Sequence, residues 1–71
     1  MDINFKRPTG FVKCYFPLKG FGFIQREHGK DVFFFRTDAS SENILHDGAR
    51  VSFLLTAEPR GPRALDIVRI A

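Results

Sequence analysis

The chain has 71 residues, and eleven lysines and arginines against eight aspartates and glutamates give it a formal net charge of +3. A chain of this length can form one small domain, which buries only about 60% of the surface that its unfolded form exposes. Its single cysteine, Cys14, excludes an intramolecular disulfide and is typical of a reducing compartment. No apolar run approaches the roughly 18 residues of a membrane span, so we expect a cytoplasmic protein with no membrane partner.

Metal binding and catalysis are also disfavoured by the sequence. Cys14, His28 and His46 lack the spacing of a zinc site, so we expect no metal and no cofactor. No Ser/His/Asp or Cys/His set has a credible placement, and the carboxylates are scattered as surface charges. We therefore expect that the protein is not an enzyme.

The predicted elements begin after a leader. Residues 1–8 are predicted to be loosely ordered, and residues 9–71 to form the domain, because Pro8 removes a backbone donor and delays regular pairing. Five segments rich in β-branched and aromatic residues then favour extended strands. In chain order they are 9–16, 20 or 21 to about 27, 31–36, 51–55 and 64–70.

The connections between these strands are of two kinds. Glycine and proline mark turns between the first three strands, and Pro59-Arg60-Gly61-Pro62 is a strong turn signal before the last. The stretch 37–47 is predicted to be irregular, with one helical turn possible near 38–41.

This arrangement indicates an all-β fold, because no segment keeps a helical 3.6-residue period for more than two turns. Five short strands at regular spacing predict a small barrel or sandwich. A closed barrel hides the strand edges that an open sheet would expose. The strand count best fits a five-stranded antiparallel Greek-key barrel of the OB-fold type.

Nine phenylalanines are many for the interior of so short a chain. Side chains alternate along a strand, so Phe21 and Phe23 share one face of their strand, as do Phe33 and Phe35 of theirs. Other residues are predicted to fill the interior: Val12, Ile24, Val32, Phe34, Val51, Phe53, Leu55 and Ile67, with some of Leu45, Leu65 and Val68. The four phenylalanines are then left for solvent, where antiparallel pairing brings them into one patch.

Two alternatives remain open for this patch. In the opposite register the four phenylalanines are the core, although Gly22 would then leave a hole on the solvent face. A glycine is better suited to a tight place inside a small barrel. The second alternative is a protein-binding surface, since exposed apolar patches also mark such sites.

Cations lie beside the aromatic clusters in the sequence. They are Lys13, Lys19, Arg26, Lys30 and Arg36, with Arg60 and Arg63 at a later turn. Single-stranded nucleic acid is bound by rings that stack on bases and by cations that neutralise phosphates. The pattern therefore predicts single-stranded RNA or DNA as the partner.

Two motifs carry a family resemblance: Lys19-Gly20-Phe21-Gly22-Phe23-Ile24 and Asp31-Val32-Phe33-Phe34-Phe35. They resemble the two ribonucleoprotein motifs of the cold-shock domain, the module of bacterial cold-shock proteins and eukaryotic Y-box proteins. The segments 10–13, 48–53 and 60–64 are similar to three further motifs of that family. The resemblance runs from about Gly10 to Val68, in the family's order and spacing.

The resemblance implies a barrel that binds single-stranded RNA or DNA, often pyrimidine-rich, as a monomer. It also implies the work of an RNA chaperone or of a transcriptional or post-transcriptional regulator. By position, Phe21, Phe23 and Phe33 would stack on bases, and Asp31 would accept a hydrogen bond from a base. Lys13, Lys19 and Arg60 would meet phosphates or base edges, and Phe35 would complete the face.

The chain departs from the family's pattern in that face. The family's tryptophan is Cys14 here, and Tyr15 or Phe16, neither of them in register, replaces part of it. The histidine of the second motif is Phe35, and the next phenylalanine is Arg36, whose guanidinium can stack or hold phosphate. Tyr15 and Arg36 therefore join the predicted binding residues. The lost tryptophan leaves an alternative function, a protein-interaction module with weak nucleic-acid binding.

Overall fold

A computed structural model describes residues 7–70 of the chain. The strands are β1 (Thr9–Phe16), β2 (Phe21–Arg26), β3 (Val32–Phe35), β4 (Arg50–Glu58) and β5 (Gly61–Arg69). They form a closed barrel in the order β1-β2-β3-β5-β4. The predicted all-β fold, a five-stranded barrel of the OB-fold type, is confirmed. No helix in residues 7–70 is long and apolar enough to cross a membrane.

Strand pairing closes the barrel in two places. All neighbouring strands are antiparallel except β3 and β5, which pair in parallel through Phe33 and Arg63. The other closure joins the start of β1 to the start of β4, where Thr9, Gly10 and Phe11 face Ser52, Val51 and Arg50. The β1–β4 pairing ends at Ser52, and β4 and β5 continue beyond it as a long hairpin.

The strand boundaries differ most from prediction in that hairpin. β4 continues to Glu58 and β5 begins at Gly61, so that the turn is reduced to Pro59 and Arg60. The single helical turn predicted near 38–41 is replaced by two 3-10 turns on either side of it, η1 (Arg36–Asp38) and η2 (Glu42–Ile44). The Ser41 side chain begins the second turn by accepting a hydrogen bond from the Asn43 backbone N–H at 3.2 Å.

Two bulges change which side chains face the interior. In β1 the pairing shifts by one residue between Val12 and Cys14, so Tyr15 lies opposite Gly22 and Phe16 lies opposite Phe21. In the β4–β5 pair the shift falls between Ser52 and Leu54. Asp66 on β5 accommodates this shift with a φ of 50°, a left-handed conformation that aspartate tolerates better than most residues.

The core lies on the inner face of all five strands. Seven predicted core residues are at most 1% exposed: Val12, Ile24, Val32, Phe34, Val51, Phe53 and Ile67. Leu45, Ala49 and Ala64 are also buried. The prediction for Leu55 is wrong, since it is 43% exposed. It lies in the part of the β4–β5 hairpin beyond the residues of β4 that pair with β1.

The inner position of Phe34 and Ile24 excludes the opposite register. Gly22 lies two residues before Ile24 on β2 and opposite Phe34 on β3. Here β1 comes close: a Cβ at this position would be 2.3 Å from the Cys14 carbonyl oxygen and 2.7 Å from Phe34 Cζ. Only glycine allows this approach, as expected for a tight place inside the barrel.

The predicted leader lies outside the described residues except for Arg7 and Pro8, which contact the barrel. The Arg7 guanidinium donates to Ser52 Oγ at 3.3 Å and to the Asp66 carboxylate at 2.8 Å. The Pro8 carbonyl accepts a hydrogen bond from the Phe53 backbone N–H at 3.1 Å. These contacts attach the start of the described chain to β4 and β5.

Candidate nucleic-acid interface

Five phenylalanine rings on the outer face of β1, β2 and β3 form one continuous patch, which we call the aromatic surface. Its members are Phe16, Phe21, Phe23, Phe33 and Phe35. Phe21 pairs with Phe35 and Phe23 with Phe33 across the β2–β3 ladder, while Phe16 lies opposite Phe21 on β1. Three of the rings are half-buried, and Phe16 and Phe35 are 43% and 42% exposed. The cross-strand patch predicted from alternation therefore exists, with Phe16 added.

The rings support one another through direct contact. The centroids of Phe33 and Phe35 are 4.8 Å apart, those of Phe16 and Phe21 are 5.2 Å apart, and Phe33 lies 5.6 Å from both Phe21 and Phe23. Most of these pairs are tilted or edge-to-face, the geometry that aromatic quadrupoles prefer. Rings held in this way lose little further freedom when a planar ligand stacks on them.

A groove of about 560 Å³ lies at one end of the aromatic surface. Phe23, Phe33 and Phe35 line one side, and residues 58–63, which include the β4–β5 turn, line the other. Arg60 is exposed in this turn. The predicted cation Arg60 is thus brought to the rings although it is distant from them in sequence.

Arg63 also lines this groove, although it is not among the binding residues predicted from the sequence. Its Cζ lies 4.7 Å from the centroid of the Phe35 ring. Asp38 accepts two hydrogen bonds from it, at 3.1 Å from Nε and 2.9 Å from Nη2. This contact raises the pKa of Arg63 above its ordinary value. The only sequence signal was its place beside a turn, because the parallel pairing of Arg63 with Phe33 is not visible in local pattern.

Two further predicted residues, Lys13 and Asp31, bind each other. Lys13 Nζ lies 2.8 Å from Asp31 Oδ2, and the hydrogen bond to this carboxylate raises the pKa of Lys13. The two side chains are 55% and 35% exposed, so water and ligand can reach both. Lys19 is exposed in the turn that precedes β2.

Tyr15 and Arg36 lie apart from the aromatic surface and meet at Glu42. The Tyr15 side chain points inward, and its ring stacks on that of Phe34 with the centroids 6.1 Å apart. Its hydroxyl donates a hydrogen bond to Glu42 Oε2 at 2.6 Å. Burial, followed by this hydrogen bond, raises the pKa of Tyr15. Arg36 Nη1 donates to the Pro17 carbonyl at 3.2 Å and lies 3.9 Å from Glu42 Oε2. These side chains tie the β1–β2 turn to η2.

Cys14 stands on the outer face, opposite Phe23 in the β1–β2 register, and is half-buried. Within residues 7–70, no group of three or more His, Cys, Asp or Glu side chains is placed to hold a metal ion.

A five-stranded OB-type barrel with an aromatic outer face beside cations belongs to the nucleic-acid-binding class of small β-barrels. Residues 8–70 match the family model described as the 'cold-shock' DNA-binding domain. A major cold shock protein of Streptococcus pyogenes serotype M6 is 41% identical over 64 residues, which cover 87% of this chain and 96% of that protein.

Two other comparisons agree. The cold shock-like protein CspC of Bacillus cereus is 40% identical over 63 residues, covering 86% of this chain and 97% of CspC. The solved structure of drosophila Unr CSD456 superposes with a TM-score of 0.77 at 21% identity, over 96% of this chain and 28% of that one, a likeness of fold. The chain belongs to the cold-shock domain family, and its function is nucleic-acid binding of the cold-shock, RNA-chaperone type. This family is non-enzymatic.

Proposed function

We propose that the aromatic surface is the place where this protein binds a single strand, with Lys13, Lys19 and Arg60 beside it and Asp31 facing a base. The observation that carries the proposal is the continuity of five partly exposed rings over three strands. Exposed apolar patches mark binding sites.

Stacking explains why the ligand should be single-stranded. Each base that stacks on an aromatic ring contributes about 1–3 kcal/mol, and any base can do so because each has a π-face. In a duplex the base faces are covered by their neighbours, so a duplex could reach these rings only by opening. Trapping unpaired bases in this way prevents or melts weak secondary structure in RNA.

The finer features of the function follow from the same arrangement and from the family resemblance. We infer that RNA is the natural ligand, that pyrimidine-rich segments are favoured, and that the protein acts as a cytoplasmic monomer without catalytic activity. Support for the last point comes from the family to which the chain belongs, which is non-enzymatic.

Fluorescence polarisation with labelled oligo-U and oligo-dT of about six to nine nucleotides tests the proposal, since this length spans the site of one OB fold. We expect binding at low salt, and weaker binding of a duplex of the same length. Phe23→Ala and Phe33→Ala should each weaken binding by about tenfold or more. Circular dichroism and urea unfolding establish that the variants remain folded.

The outcome that contradicts the proposal is an absence of oligonucleotide binding by the folded protein at low salt. That result would favour the alternative of a protein-interaction module, which the replacement of the family's tryptophan by Cys14 suggests. Equal affinity of the wild type and both folded variants would instead move the binding site away from the aromatic surface.

A further inference from the structure

We infer that Arg63 serves as a stacking platform for a base, an extension of the aromatic surface, and that it does not act as a phosphate contact. This inference rests on the proposed function of the aromatic surface and assigns a role to a residue outside the predicted set. It concerns the end of the groove where β5 meets β3.

Carboxylates already offset most of the charge of the Arg63 guanidinium. Asp38 accepts hydrogen bonds from Nε and Nη2, and Glu58 lies 4.0 Å from Nη1, at ion-pair distance. Because a phosphate would have to displace Asp38 to form a two-bond fork with Nε and Nη2, the positive charge of Arg63 is poorly available to the backbone of a nucleic acid.

Asp38 is itself held in place. Its side chain is only 8% exposed, and Oδ2 also accepts a hydrogen bond from the Phe35 backbone N–H at 2.9 Å. A carboxylate that is fixed by β3 and almost buried fixes the guanidinium in turn. Arg63 thus has one orientation imposed on it, with the entropy of its long side chain already lost before a ligand arrives.

One face of the guanidinium plane lies over Phe35, and the opposite face is the one that we assign to a base. Arg63 lies over the Phe35 ring, and the exposed 26% of its side chain contributes to the groove shared with Phe23 and Phe33. A guanidinium plane is a stacking surface for bases as well as for aromatic rings. The platform therefore does not end at Phe35 but continues onto Arg63.

A charge-conserving substitution separates the two roles of an arginine, and Arg69, an exposed arginine of the same strand that does not line the groove, is the matched control. Arg63→Lys keeps the charge and removes the plane, so we expect affinity for oligo-U to fall about five- to tenfold with an unchanged salt slope. Arg69→Lys should stay within about twofold of wild type. Arg60→Gln should weaken binding and reduce the slope of log K against log salt by about 0.7, the value of one phosphate on a single strand.

A second variant tests whether Asp38 keeps the positive charge of Arg63 away from phosphates. Asp38→Asn can still accept the Phe35 N–H bond but releases Arg63, which can then meet a phosphate, so we expect the salt slope to become steeper by about 0.7. Urea unfolding of each variant shows whether it is folded under the binding conditions. An unchanged slope in folded Asp38→Asn would overturn the assignment.

The remaining outcomes are equally distinct. If the wild type binds oligo-U and folded Arg63→Lys binds as well as it does, the platform role is wrong while the proposed function stands. If Arg63→Lys retains affinity but Arg63→Gln flattens the salt slope, Arg63 is a phosphate contact. If the wild type does not bind any single strand, the proposed function fails first.

Discussion

The most consequential single residue of the aromatic surface is Phe16. The resemblance to the cold-shock domain implies a tryptophan where Cys14 stands, and the half-buried Cys14 offers no ring to a base. Phe16 is two residues further along β1 and therefore on the same outer face. Its ring contacts Phe21 at 5.2 Å and is 43% exposed. Phe16 therefore supplies a ring two residues after Cys14 on β1, and it extends the aromatic surface toward the β1–β2 turn.

We predict that Phe16→Ala weakens binding of oligo-U about fivefold or more, since it removes one stacking ring. The matched control is Leu18→Ala, because Leu18 is an apolar side chain of the adjoining turn that is fully exposed. It should leave affinity within about twofold of wild type. Both affinities are measured by fluorescence polarisation. If the two variants bind alike, Phe16 is not part of the binding site.

The orientation of single side chains could be predicted from the sequence for some of these residues and not for others. Alternation placed Phe21, Phe23, Phe33 and Phe35 correctly on one face, because β2 and β3 pair without a shift. It failed to separate Tyr15 from Phe16, because the bulge after Val12 exchanges the faces of the residues that follow. No glycine or other distinctive residue stands at this bulge. Its position depends on how β1 fits against β2, which is a tertiary property.

At the scale of elements, the approach of β1 to β2 at Gly22 determines the shape of the aromatic surface. The two neighbours of Gly22 on β2, Phe21 and Phe23, face outward, and the inner side is filled by Phe34 and by the backbone of β1. Any side chain at this position would push β1 away. The glycine therefore keeps the sheet tightly curved beneath the rings.

We predict that Gly22→Ala lowers the free energy of unfolding by about 3 kcal/mol, because the added Cβ overlaps backbone that cannot move freely. Gly48→Ala is the control: Gly48 has a φ of 85°, but a Cβ there meets nothing within 4 Å. Only the left-handed conformation is penalised in that case, at about 1 kcal/mol. Urea unfolding measures both. Equal losses would show that the close approach at Gly22 is relieved by a small shift of β1.

Strand positions were predicted correctly where nearby residues determine them. The prediction failed where pairing with a strand distant in the sequence determines them. Pro8 and the turn residues predicted where β1 begins and where the first hairpins lie. The extension of β4 to Glu58 depends on its pairing with β5, which also leaves Leu55 exposed. The parallel contact of β3 with β5, which brings Arg63 to Phe35, joins segments that no turn connects.

For the molecule as a whole, the count of eleven lysines and arginines overstates the positive charge available to a nucleic acid. Four cations of residues 7–70 lie within 4 Å of a carboxylate on another part of the fold. The pairs are Arg7–Asp66, Lys13–Asp31, Arg36–Glu42 and Arg63–Asp38. Arg63 lies over the Phe35 ring, and Lys13 is one of the cations that we propose to meet the strand. Attraction for phosphate is thereby reduced at the proposed binding site, so we expect stacking to supply most of the affinity.

We therefore predict a shallow salt dependence for oligo-U binding. With two or three phosphates met by Lys19, Arg60 and in part Lys13, log K against log salt should have a slope of about −1.4 to −2. Polarisation titrations at several salt concentrations give this slope. A value steeper than about −3.5 would mean that the ion pairs open and that charge dominates.

Asp31→Asn provides the internal check on this account of the charges. It removes the partner of Lys13 and should steepen the slope by about 0.7, even where the loss of a contact to a base lowers affinity at every salt concentration. Asp47→Asn makes the same change of charge at an exposed position that does not line the groove beside the aromatic surface. It should leave the slope unchanged. If both variants steepen it equally, the overall charge of the protein controls binding, and the pairing of Lys13 with Asp31 has no specific effect.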